Sequence, residues 1–95
     1  MPSLQDRLTV AAISLNIAWG DVDENIFATA AAIEALPNIP DVIVLPETFS
    51  TGYIADNEHI ERVAQDWHNS TTIGSMTEWA RTYNAAICGT LLIKD

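Results

Sequence analysis

Residues 41–53 read DVIVLPETFSTGY, and within them four apolar residues, Val42 to Leu45, run into Pro46 and then Glu47. A short Val/Ile/Leu run closed by a turn former predicts a buried strand of a parallel sheet, because crossover helices cover both faces of such a strand. Glu47 then falls at the carboxyl end of the strand. In open α/β architectures that edge is where ligands bind, since the loops there vary while the sheet holds them in place. A solvated loop carboxylate is the alternative reading of Glu47 from position alone.

Outward from this strand the chain alternates. Upstream, Arg7 to Leu15 (RLTVAAISL) follows a polar lead to Asp6 and is rich in apolar and β-branched residues, which predicts strand one. Asn16 to Gly20 connects it to a helix, whose start is marked by the Gly20-Asp21 turn signal and by Asp21 with Glu24 in capping-box spacing. Ile26, Ala30, Ile33 and Leu36 share one face of that helix, and Pro37 and Pro40 end it. Downstream, Ser50 to Asn69 reads mostly as loop, with Glu58 to Gln65 as a short helical turn; a loop of such length in a compact domain is more often functional than incidental. A second helix is expected from about Thr71, capped by Ser70 or Thr71, with Ile73, Met76, Trp79, Ala80 and Tyr83 at helical spacing. Gly74 weakens it by about 1 kcal/mol relative to Ala. Ala85 to Ile93 (AAICGTLLI) predicts strand three, where Gly89 marks a bulge or a close backbone approach.

The order βαβαβ implies an α/β fold with a parallel sheet and right-handed crossovers. The strands are apolar on both alternating faces, and two helices hide one face far better than two. The 95 residues therefore read as a fragment, or as a subunit that hides its second sheet face against a partner. Length agrees: a domain of this size buries only roughly 60 to 65% of its unfolded surface.

Composition narrows the function classes. A hydrophobic content of 48% with 18% charged residues excludes whole-chain disorder. Thirteen acidic against four basic residues give a net charge of −9, which repels phosphate backbones and anionic lipid headgroups, so neither nucleic acid nor a membrane surface is an expected partner. No apolar run approaches the roughly 20 residues that span a bilayer. Cys88 is the single cysteine and leaves no internal disulfide, and MPSLQDRL lacks the features of a leader, so a cytoplasmic protein is expected. His59 and His68 lack ligand-spaced companions, and neither a metal nor a cofactor is called for.

Leu45-Pro46-Glu47-Thr48-Phe49 with Gly52-Tyr53, the Gly20-Asp21 turn with Asn25, and the βαβαβ order together resemble the N-terminal part of a nitrilase-superfamily carbon–nitrogen hydrolase. The resemblance covers nearly the whole chain, 1–95, as one N-terminal portion of a single hydrolase domain, and implies half of a four-layer αββα sandwich. It implies hydrolysis of a non-peptide C–N bond in a small-molecule amide by a Glu-Lys-Cys triad, with Glu47 as the general base. Ser50-Thr51-Gly52-Tyr53 is similar to the omega-amidase branch, which hydrolyses the terminal amide of 2-oxo acids. The family commonly assembles through helices outside its sheets, so a homo-oligomer is an expectation of the resemblance. Phe49 and Tyr53, next to Glu47, are candidate pocket walls, with packing as the default role of both.

The resemblance does not supply the rest of the triad within these residues. Cys88 lies in the middle of an apolar strand and reads as a small buried hydrophobe, and Lys94 reads as a solvated strand end. The chain alone is therefore expected to be inactive. Trp79 lies on the helical stripe and is expected in the core; Trp19 and Trp67 stay unassigned. Two other readings stand beside the hydrolase. One is a small doubly wound ligand-binding or regulatory module, weakened by the lack of a Gly-rich phosphate loop and by Asn16 where clustered aspartates would stand. The other is an interaction domain that pairs through its open sheet face.

Overall fold

The computed structural model describes residues 7–54 and 56–94. The polar lead up to Asp6 and the expected solvation of the Lys94 side chain lie outside what is described. The element order is β1 (Val10–Ala12), α1 (Val22–Glu34), β2 (Val42–Val44), α2 (Asn57–Val63), β3 (Gln65–Asp66), α3 (Thr71–Tyr83), β4 (Ala86–Cys88) and β5 (Ile93–Lys94).

The opening stretch forms the centre of the sheet. β2 lies between β1 and β4, and both pairings are parallel, with Ala11 opposite Ile43 and Ile43 opposite Ile87. Alternation along the strands sends Ile13, Ile43, Leu45 and Ala85 to one face, where they are buried with Ile33 of α1 and Trp79 of α3. Ile26 and Ala30 of α1, Leu36 just beyond its end, and Met76 and Tyr83 of α3 pack around this core. Ile43 and Phe49 are each 0% exposed. Burial of a side chain of that size contributes about 1.5–3 kcal/mol.

The opposite sheet face carries Val10, Ala12, Val44, Ala86 and Cys88, all exposed. Cys88 is thus not the buried hydrophobe expected from its apolar neighbours: its place in the strand alternation puts it on the face that none of the described helices covers.

Helix starts follow their caps. The Asp21 side chain accepts from the Glu24 N–H at 3.2 Å, and Ser70 Oγ accepts from the Ile73 N–H at 3.1 Å. α3 ends on Asn84 in the left-handed conformation, φ 50°.

The short helical turn expected at Glu58 to Gln65 is α2, Asn57–Val63, which buries none of its residues and so has no apolar stripe; the two-residue β3 in the surrounding Ser50 to Asn69 loop region is unexpected. Ala85 to Ile93, by contrast, is not the one strand expected. β4 ends at Cys88, the chain leaves the sheet at Gly89, and β5 then pairs in parallel with β3 in a separate two-stranded sheet. Among the described residues no helix is long and apolar enough to cross a membrane.

Candidate active site

Three connections meet beyond the carboxyl ends of the main sheet: residues 13–21 after β1, residues 45–54 after β2, and residues 89–92 after β4. Among the described residues the last backbone bond from β2 to β4 is Leu45 N–H to the Cys88 carbonyl at 2.8 Å, and Pro46, whose nitrogen falls on the β1 side, has no N–H to extend the pairing there beyond the Ile13 N–H to Val44 carbonyl bond at 2.9 Å. The chain then turns through Glu47 to Thr51.

The turn is sharp at Thr48, whose φ is 45°. For a β-branched residue this is an outlier that costs on the order of 1–3 kcal/mol and persists only where the surroundings enforce it. Several bonds do so. The Thr48 N–H donates to Thr90 Oγ1 at 2.9 Å, the Thr48 hydroxyl donates to the Glu47 carbonyl at 2.8 Å, and the Thr48 carbonyl accepts from the Gly52 N–H at 2.8 Å and the Thr51 N–H at 3.2 Å. Gly52 follows at φ 79°, where an added Cβ would also stand 3.5 Å from Ile17 and Trp19 side-chain atoms.

Asn25 locks this turn to the loop after β1. It is 2% exposed. Its Oδ1 accepts from the Ala18 N–H at 2.7 Å, and its Nδ2 donates to the Ala18 carbonyl at 2.7 Å and the Ser50 carbonyl at 2.9 Å. The Gly20 N–H donates to the Thr51 carbonyl at 2.8 Å and Trp19 Nε1–H to the Tyr53 carbonyl at 3.3 Å. From α3, the Thr72 hydroxyl donates to Ser50 Oγ at 3.0 Å. Ser50 and Thr51 are buried parts of the scaffold.

Glu47, exposed, stands in a cleft of about 380 Å³ lined by Ile17, Trp19, Glu47, Thr48, Gly52 and Tyr53. Tyr53 is therefore brought together with Glu47. Phe49 is not: it lies in the core, its ring centroid 6.1 Å from that of Trp79, and Gly89 packs close to it, an added Cβ there falling 3.6 Å from Phe49 Cδ1. Ile17 and Trp19 are the cleft residues that motif spacing left unassigned. Their signal is topological, since β1 neighbours β2 and its following loop must share the same edge.

A larger cleft of about 570 Å³ shares Trp19 and is lined also by Asp21, Asp23, His59 and Arg62. Its Asp21 is engaged as the α1 cap, and its His59 Nδ1 lies 2.6 Å from Asp56 Oδ1 with the ring 4.6 Å from Trp19. The Asp56 carboxyl is held below its ordinary value, first by the His59 backbone N–H and then by the His59 ring. Among the described residues, no group of three or more His, Cys, Asp or Glu side chains is placed to hold a metal ion. Chemically, the smaller cleft offers a carboxylate on a braced turn, free to accept a proton from a group entering between Trp19 and Tyr53.

The family model described as carbon-nitrogen hydrolase matches residues 9–95. Among solved structures, a CN-hydrolase superfamily protein from Xanthomonas campestris with an arsenic adduct in the active site is similar in fold, with a TM-score of 0.81 and 28% sequence identity. The match covers 93% of this chain and 32% of that one, so the chain spans about a third of the length of this relative. None of the curated proteins matches it.

Proposed function

The chain belongs to the carbon–nitrogen hydrolase family, and from that premise we propose that it supplies the general base, Glu47, of an amide hydrolase whose lysine and nucleophilic cysteine lie outside these 95 residues. The observation that carries the reading is the placement of Glu47 at the mouth of a cleft walled by Trp19 and Tyr53, on a turn braced by Asn25 and Thr90. A cysteine attacks an amide carbon only as thiolate, so a nearby carboxylate must take the thiol proton. The tetrahedral intermediate, its oxyanion held by the lysine, collapses to a thioester as the C–N bond breaks, and Glu47 returns the proton to the departing ammonia. Water then attacks the thioester while Glu47 takes its proton, and the acid leaves as the thiol is restored. Each turnover converts one amide and one water to one acid and one ammonia.

The finer proposal for the substrate is a small omega-amide of a 2-oxo acid, supported by the Ser50-Thr51-Gly52-Tyr53 continuation of the Glu47 motif. The 95 residues alone are expected to release no ammonia. In a chain that carries the rest of the domain, Glu47→Gln should lower kcat for ammonia release by about 10²–10⁴-fold, the usual contribution of a positioned base, with an unchanged melting profile. Near-normal turnover in that variant would remove Glu47 from the mechanism.

A further inference from the structure

The peptide unit between Glu47 and Thr48 is held at both of its polar ends. Its carbonyl accepts from the Thr48 hydroxyl, and its N–H donates to Thr90 Oγ1. The first of these bonds, like the bonds from Thr51 and Gly52 to the Thr48 carbonyl, is local to the turn and would follow the turn if it relaxed. The bond to Thr90 spans 42 residues and comes from the connection that leaves the sheet after β4. It lies beyond the Leu45 N–H to Cys88 carbonyl bond, the last backbone bond from β2 to β4 among the described residues, so a side-chain hydroxyl continues the link between the two connections. Gly89, immediately before Thr90, seats that connection against Leu45, Phe49 and Met76, with an added Cβ 3.4–3.6 Å from their atoms. The connection that carries the acceptor thus rests against Leu45 and Met76, which lie outside the turn, as well as against Phe49 within it.

We propose that Thr90 is a positioning residue for Glu47: its hydroxyl holds Thr48 in the left-handed conformation and so sets the direction in which the preceding carboxylate leaves the backbone. The proposal rests on Glu47 being the base. Thr90 is exposed, so water can satisfy the Thr48 N–H when the hydroxyl is removed, and the loss falls on the geometry of the turn more than on the stability of the fold.

The test uses the chain carrying the rest of the domain, with Thr90→Val, which keeps the shape and removes the acceptor, Thr90→Ser, which restores it, and Glu47→Gln. Ammonia release from an omega-amide is followed across pH. Thr90→Val should lower kcat per folded molecule by about 10- to 100-fold, the scale of a misplaced catalytic group, with KM nearly unchanged and an altered pH profile. Thr90→Ser should restore both. Wild-type kcat and pH profile in Thr90→Val, or a loss that only mirrors a smaller folded fraction, overturns the positioning role. If Glu47→Gln itself turns over normally, it is the assignment of the base that fails.

Discussion

Asn25 shows how a single polar side chain can organise a site it does not line. It sits on α1, wholly inside the protein, and its amide is used by two loops: both polar groups of Ala18 and the carbonyl of Ser50. Asn25→Ala would leave the Ala18 N–H and the Ser50 carbonyl without their partner, and the Ala18 carbonyl with only the Asp21 N–H, and should destabilise the fold by about 2–4 kcal/mol, read as a lower urea midpoint. Asn25→Asp should cost at least as much near neutral pH, because a carboxylate can accept from the Ala18 N–H but faces two carbonyl oxygens with lone pairs. A midpoint within about 0.5 kcal/mol of wild type in Asn25→Ala would mean that water replaces the bridge and that the loops hold themselves. Asn25 was visible in the sequence as a companion of Gly20-Asp21, but its role was not, since a buried amide bridging two loops leaves no trace in hydrophobic period. Thr48 was less legible still. A threonine at positive φ runs against its own conformational preference, and only the bonds around it explain why it is there.

At the scale of elements, legibility followed burial. α1 and α3 lay open to sequence reading because each combines a cap with a stripe of apolar residues, and β2 because an apolar run stops at proline. α2 has a cap and no stripe: the apolar residues of NEHIERV are Ile60 and Val63, and neither is fully buried. The apolar segment Ala85 to Ile93 misled for the converse reason, because period cannot distinguish one strand from two short ones divided at a glycine that packs against the core. The dependence of α2 on its cap has a pH signature. Asp56 accepts from the His59 N–H at 3.0 Å and pairs with the His59 ring, which lowers its carboxyl pKa below the ordinary 3.8. Above that ordinary value Asp56 is ionised in both folded and unfolded chains and its contribution is complete. As pH falls below 3.8 the unfolded chain takes up the proton first, so the contribution shrinks and is gone once pH drops through the lower folded value. The urea midpoint of Asp56→Ala should therefore lie below that of wild type at about pH 4.5, and the two should converge in more acid solution. A gap that persists unchanged below the folded value would assign the stabilisation to something other than the carboxylate.

Across the whole molecule, the decisive asymmetry is between the two faces of the main sheet. α1 and α3 pack against each other and, with Phe49, close one face over Ile13, Ile43, Leu45 and Ala85. The other face presents Val10 at 52% exposure and Val44 at 37%, beside Ala12, Ala86 and Cys88. Parallel strands this apolar on both sides are ordinarily covered on both sides, and the arithmetic of two helices against two faces was already visible in the sequence. Which face stayed open was not, because a symmetric apolar pattern gives the strands no preferred side; the register set by the helices decides it. Cys88 makes the open face measurable. Its strand alternation places it with Val44, its partner in the ladder, so the thiol reports on that face rather than on the core. In the 95-residue chain at low concentration, a thiol reagent should label Cys88 without denaturant at a rate close to that of the urea-unfolded chain. If labelling slows as the chain is concentrated, with no change in helix content, the face is being covered by association of one chain with another, as an extended apolar patch in water favours. Strong protection in a dilute monomer would instead require residues of the chain itself to lie over Val10, Val44 and Cys88, and the one-sided packing described above would be wrong.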